Sequence, residues 1–277
     1  MAEDPHQHPG IAPVADSLAA YAIGTSIILL WLIMAGLYLL AGQSAALRGR
    51  SPWSWRRTAS WLTGVGLGVG AMYGSAAAAA GGTFTAHMSA HLVLGMLVPL
   101  LLVLGAPVTL LLRVVPVSMG RRITTALRAA PVRVLTHPVA ALLINTVPLF
   151  AVYWDGRSAV ILHHALLGPL VHVHFVAAGF LFTSSVVGID PNPHRAPVWI
   201  RGAVLVASIA AHGVLAKQLY ATPQQGVPRA DAELAAQVMY YGGDVVHLLL
   251  LVVFCAQVYR ASGRRLRMIE GSPIPAP

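Results

Sequence analysis

His87 and His91 stand four residues apart in the apolar run FTAHMSAHLVLGMLVPLL, residues 84–101, with Met88 between them. On a helix, i and i+4 share a face. Imidazole with thioether suits copper, above all Cu(I), whereas imidazole with carboxylate admits zinc or Cu(II). Further candidates recur downstream: His163 and His164, His172 and His174 in LVHVHF, His212, and Asp244 with His247 in YYGGDVVHLLL. Asp244 reads as a direct ligand or as the acceptor that fixes the tautomer of a liganded imidazole. His6 and His8, in the N-terminal HQH, could catch a metal ion from solution, or simply belong to a flexible polar tail.

The elements that carry these side chains are membrane spans. Of 277 residues, 57% are hydrophobic and 10% charged, against roughly 25% charged in a soluble domain. Runs of about 20 apolar residues, each able to cross a hydrocarbon core of about 30 Å, recur along the chain. The composition excludes a large soluble domain. The expected fold is all-α: a polytopic membrane protein with a seven-helix transmembrane bundle over 18–260, a polar extracytoplasmic tail over 1–17 and a basic cytoplasmic tail over 261–277. The spans fall near 18–41, 58–80, 85–112, 136–153, 163–187, 198–218 and 236–259.

Loop charge supports this count. The net charge is +9, and 15 of the 18 Lys and Arg residues occupy alternate connections: 48–57, 113–133, 195–201 and the tail from Arg260. Positive residues stay cytoplasmic, which places the N-terminus outside and the C-terminus inside. Basic residues distributed in this way mark topology, not a nucleic-acid surface. The N-terminal stretch lacks the basic segment of a signal peptide. The single cysteine, Cys255, reads as a small buried apolar residue and leaves no Cys-x-x-Cys clip. Gly66, Gly70 and Gly74, like Gly64 and Gly68, repeat every four residues, a spacing that lets helix backbones approach closely in lipid. Trp53 and Trp55 read as interfacial anchors. Pro99 and Pro107 should kink or end the third span.

With that orientation, His91, His172 or His174, His212, Asp244 and His247 fall in one layer in the outer half of the bilayer, from four helices. His194 and His137 lie at the cytoplasmic end. An ionisable group in the bilayer costs a few kcal/mol unless it faces the bundle interior and finds a partner, so it marks a functional site by default. Each histidine alone could be a neutral imidazole bonded to a backbone carbonyl. As a set they would compete for such partners. Met72, Met96 and Met239 lie in neighbouring spans.

HMSAHLVLGMLVPLLLVLGAPVTLLLR, HPVAALL, LVHVHFVAAGFLF, GIDP and YYGGDVVHLLLLVV together resemble the CtaG family of polytopic bacterial cytochrome c oxidase assembly factors, across about residues 60–260. The resemblance implies a protein of the bacterial plasma membrane, required for an active caa3-type oxidase and acting in copper delivery. The family's His-Met-x-x-His falls on His87, Met88 and His91, its paired histidines on His172 and His174, and its Gly-Gly-Asp on Gly242, Gly243 and Asp244. Ala90 stands where the family commonly has glutamine, and the single-domain length departs from longer relatives fused to a copper-resistance membrane domain.

The leading expectation is therefore a copper-binding assembly factor, not an enzyme, with oxidase subunits or a periplasmic copper carrier as partners. A copper transporter, a haem-binding redox protein and a zinc-dependent membrane hydrolase are the alternatives. The glycine-striped second span allows a homodimer.

Overall fold

The computed structural model describes residues 12–79, 82–154, 167–222 and 224–270, and all regular elements among them are helical. His6, His8, His163 and His164 lie outside the described residues. The helices are α1 Ala12–Leu47, α2 Trp55–Ala79, α3 Phe84–Leu92, α4 Val98–Leu104, α5 Pro107–Val114, α6 Val117–Leu127, α7 Ala130–Leu135, α8 Pro138–Tyr153, α9 Leu167–Val187, α10 Val198–Ala221 and α11 Arg229–Glu270, with a π-helical turn, Val93–Leu97, between α3 and α4.

Five segments are long and apolar enough to cross a membrane: Ala22–Leu47, Phe84–Val114, Leu167–Val187, Val198–Ala221 and Arg229–Gly263. The chain is a multi-pass membrane protein. Its outward faces are leucine- and valine-rich, for example Leu30, Leu37 and Leu40 on α1 and Val245, Leu248 and Val252 on α11. Two expected spans do not meet the same standard alone. The 25-residue α2 is diluted by glycine, and α8 has only 16 residues, about 24 Å of helix at 1.5 Å per residue. Both nevertheless pack within the bundle, α2 against α1, α3 and α4, and α8 against α9 and α10. The segment after α5, expected as a loop, forms the short helices α6 and α7, neither of which buries a residue.

The third span is broken twice, both times at proline. Pro99 has no N–H for the Gly95 carbonyl four residues back. The preceding turn widens to π geometry, with the Val98 N–H bonded to the Val93 carbonyl. Gly179 of α9 packs onto this turn so closely that a Cβ there would lie 2.2 Å from the Gly95 oxygen and 2.8 Å from Pro99 Cγ. The second break is at Ala106, the one described non-glycine residue with positive φ (51°), immediately before Pro107 opens α5. Tyr38 Oη donates to the Gly105 carbonyl at 2.7 Å, and Ser60 Oγ to the Leu101 carbonyl at 2.7 Å. The break therefore stays hydrogen-bonded where no water reaches it.

Two aspartates cap helix starts in the broken span, one at its beginning and one at the restart after Ala106. Asp231 of α11 accepts from the Phe84 and Thr85 N–H groups at 2.7 and 3.2 Å and from Thr85 Oγ1 at 2.6 Å. Asp190 accepts from the Val108 and Thr109 N–H groups at 3.1 and 2.7 Å and from Thr109 Oγ1 at 2.6 Å. Each carboxylate satisfies orphan N–H groups and meets the positive end of the helix dipole.

Three sequence expectations are corrected. Cys255 is exposed, because its face of α11 looks out of the bundle. On α2 the tight face is Gly64 and Gly68: a Cβ at Gly68 would lie 2.8 Å from the Trp31 ring, whereas Gly66 and Gly70 have nothing within 4 Å. The two glycine registers are offset by half their period, so only one can face the bundle, and the Gly74 side of the stripe lies outside the described side chains. Trp53 is more than an anchor. Its indole donates to Tyr38 Oη at 2.9 Å, and Arg57 and Arg113 stack over its ring.

Asp231→Ala removes three acceptor contacts from the start of α3. It should lower stability by roughly 1–3 kcal/mol, read as a lower thermal unfolding midpoint in detergent, and Asp231→Asn should recover only part of the loss.

Candidate functional site

The histidines of α3, α9, α10 and α11 form two groups separated by Tyr153. His87, half-buried near the start of α3, has Nε2 3.0 Å from Tyr153 Oη, and its ring centroid is 5.8 Å from that of His172 on α9. One helical turn deeper, His91 is 3% exposed. Its ring meets Tyr153 edge-on at 5.4 Å and Phe175 at 4.6 Å. Tyr153, at the end of α8, thus touches His87 on one side and His91 on the other.

His91 faces a cavity of about 40 Å³ shared with His212 of α10 and His247 of α11. The rings of His212 and His247 are 5.4 Å apart, and Ser208 Oγ lies 3.5 Å from His247 Nε2. Around them stand Asn145, Thr146, Thr183 and Met96. His91 Nδ1, His212 Nε2 and His247 Nδ1 are buried without a hydrogen-bond partner. Buried polar atoms are almost always satisfied, so three orphans beside one cavity call for something that fills it. A space of this size holds two or three waters or a small cation. As they stand, no three His, Cys, Asp or Glu side chains among the described residues are close enough together to hold an ion. The closest pair of described imidazoles is His212 with His247.

Close backbone approaches position these rings. His212 sits where a Cβ on Gly243 would be, 2.2 Å from its Cε1, and a Cβ on Gly242 would lie 2.8 Å from Leu92 Cδ1. The Gly-Gly pair lets α11 close onto α10 and α3 together. Gly95 and Gly179 admit α9 in the same way from the other side.

The remaining expected residues are placed elsewhere. His174 turns to α8, where Nε2 lies 3.3 Å from the Ile144 carbonyl; of the paired histidines, His172 is the one facing His87. Met88 is fully buried among Leu149, Val152, Tyr153, Leu215 and Met239, in an apolar cluster and not on the cavity wall. Asp244 is exposed on α11 and does not line the cavity, although it precedes His247 by three residues. A helix turns about 100° per residue, so the two side chains diverge by about 60°, and the bundle boundary runs between them. His194 lies far from this layer, with Nε2 3.3 Å from the Arg128 carbonyl. Tyr153, Ser208, Asn145 and Thr146 are additions that the sequence reading did not single out. The Asn-Thr pair inside LLINTVPLF was a visible signal, since polar side chains in an apolar span point inward. Tyr153 carried none.

Gly243→Ala should force His212 out of place and cost about 1–3 kcal/mol by overpacking, seen as a lower unfolding midpoint. Gly66→Ala, on the open face of α2, should leave the midpoint unchanged or raise it.

Comparison with known proteins places this architecture. The sequence model of a family described as cytochrome c oxidase caa3 assembly factor (Caa3_CtaG) matches residues 36–261. Similar chains include uncharacterised proteins of Mycobacterium bovis and Mycobacterium tuberculosis, each 35% identical over 196 residues, covering 64% of this chain and 29% of the relative. A Mycobacterium leprae protein, also uncharacterised, is 31% identical over 194 residues, covering 65% of this chain and 28% of its own length. The chain therefore spans under a third of the length of these relatives. No solved structure matches it. With a family match running from within α1 to the late turns of α11, the chain belongs to the caa3-type cytochrome c oxidase assembly factors.

Proposed function

We propose that the protein assists oxidase maturation by holding copper as cargo in the outer half of the membrane and passing it to an oxidase subunit. The observation that carries this reading is the set of three buried, unbonded ring nitrogens of His91, His212 and His247 on one small cavity. Neutral imidazoles beside the thioether of Met96 form a donor set suited to Cu(I), and their polar neighbours Ser208, Asn145 and Thr146 could orient the rings. His87 and His172, nearer the start of α3, form an entry pair, and His163, His164, His6 and His8 are further candidate donors. Met88, His174 and Asp244 take supporting roles: packing, bonding to α8, and meeting a partner on the outer face of α11. The bundle crosses the bacterial inner membrane seven times with its N-terminus outside, in keeping with the alternation of loop arginines. A periplasmic copper carrier would load the site.

The same geometry weighs against the other readings. A cavity of about 40 Å³ is far below the 300–1,000 Å³ typical of organic cofactor sites, too small for haem. No carboxylate among the described residues lines it, which leaves a zinc hydrolase without a base at that point. A permease would need donors continuing to the other end, where the imidazole of His194 is engaged by the Arg128 carbonyl.

Elemental analysis of the purified protein tests the proposal. Wild type should retain copper. His91→Ala and the His212→Ala/His247→Ala pair should each weaken retention by at least about tenfold and impair oxidase activity in cells. Copper-free wild-type protein after loading with Cu(I), or undiminished retention in these variants, would refute it, and copper uptake into sealed vesicles would favour the permease.

A further inference from the structure

At the opposite end of the fold lies a second and larger cavity, of about 700 Å³, between α11, the start of α10 and the link that follows α9. Among the described residues, four arginines and no carboxylate line it: Arg57, Arg195, Arg201 and Arg260. Arg201 is only 5% exposed, and its Nε has no hydrogen-bond partner. Its Nη1 donates to the Val186 carbonyl at 2.7 Å, and Arg195 Nη2 donates to the Val187 carbonyl at 3.0 Å and to Gln257 Oε1 at 3.1 Å.

These bonds explain part of the arrangement, since cations near a helix C-terminus satisfy its last carbonyls and meet its negative end. They do not explain all of it. A helix terminus presents about half a charge, whereas two guanidinium groups converge on this one. Buried charges are normally paired. The nearest carboxylate in sequence, Asp190, is bonded to Val108 and Thr109. The one described salt bridge is Arg229–Glu233, on a different part of the chain. Arg57 and Arg260 add two further positive charges to the same cavity. The remaining wall is apolar, with Leu104, Ile189, Val198, Val252 and Val253.

The geometry points to a binding site for a phosphate group, supplied by the headgroup of an anionic phospholipid whose acyl chains lie along this apolar wall. A phosphate offers oxygen acceptors that match the forked N–H donors of arginine. Basic pockets between transmembrane helices are a known means of holding anionic headgroups. The site is independent of the histidine cavity and of any metal.

The test uses the full-length protein, stripped of lipid in detergent, with three probes: phosphatidylglycerol, phosphatidylcholine and inorganic phosphate. Bound lipid is counted by native mass spectrometry and the unfolding midpoint is followed in parallel. Phosphatidylglycerol should be retained in preference to phosphatidylcholine and should raise the midpoint. Arg201→Met should weaken retention about fivefold, the contribution of one basic residue to an anionic surface. Where that variant fails to fold, Arg57→Gln combined with Arg260→Gln, at positions with no side-chain bond to the backbone, gives the same reading. Stabilisation by inorganic phosphate as well would identify a free anion as a second source. Equal retention of the two lipids would overturn the proposal. So would a loss no larger than that caused by Arg121→Gln/Arg122→Gln on α6, outside the cavity, since general surface charge would then account for it.

Discussion

A carboxylate bonded to the start of a helix holds this bundle in register. Lipid supplies no water to the free N–H groups of a helix end, so any break in a span must be closed by protein. The segment Phe84–Val114 has a free start and an internal restart at Pro107. Asp231 closes the first and Asp190 the second, each through two backbone N–H groups and one threonine hydroxyl. Because Asp231 belongs to α11, the cap also joins the helix carrying His87 and His91 to the helix carrying His247. The depth of these histidines relative to one another depends on that joint.

Given the register, glycine sets the separation. Gly242 and Gly243 bring α11 against α3 and α10, while Gly95 and Gly179 bring α9 against the π turn. The cavity lies where these close contacts meet. On one side it touches the apolar cluster containing Tyr153 and Phe175, and on the other the cluster containing Phe182 and Val246. A polar pocket enclosed in this way leaves imidazole nitrogens scarce in partners. The arginine-lined cavity has a related make-up: one buried guanidinium, Arg201, no acid among the described lining residues, and an apolar wall.

Much of the layer was legible from residue order. His91, His212 and His247 were expected at one depth from three helices, and they line one cavity. The breaks at Pro99 and Pro107 were expected as kinks or ends, because proline lacks the donor that a helix needs at that point. What could not be read was which way a side chain turns within its layer. His172 and His174 are two residues apart; one faces His87 and the other a carbonyl of α8. Met88 and His91 share a helix face, yet one enters an apolar cluster and the other a cavity. Asp244, three residues before His247, is turned outward.

Residue order alone determined membrane residence, because composition and apolar run length are local properties, and it placed the middle spans to within a few residues, while α1 and α11 run well past their expected ends and α6 and α7 were not foreseen. Only the tertiary structure decided the partners of Asp231 and Asp190, which lie 147 and 82 residues away along the chain from the N–H groups they cap. It likewise decided which imidazole nitrogens are buried without a partner. Helical periodicity tells which residues share a face, but the neighbour met by that face is set by packing between helices remote in sequence.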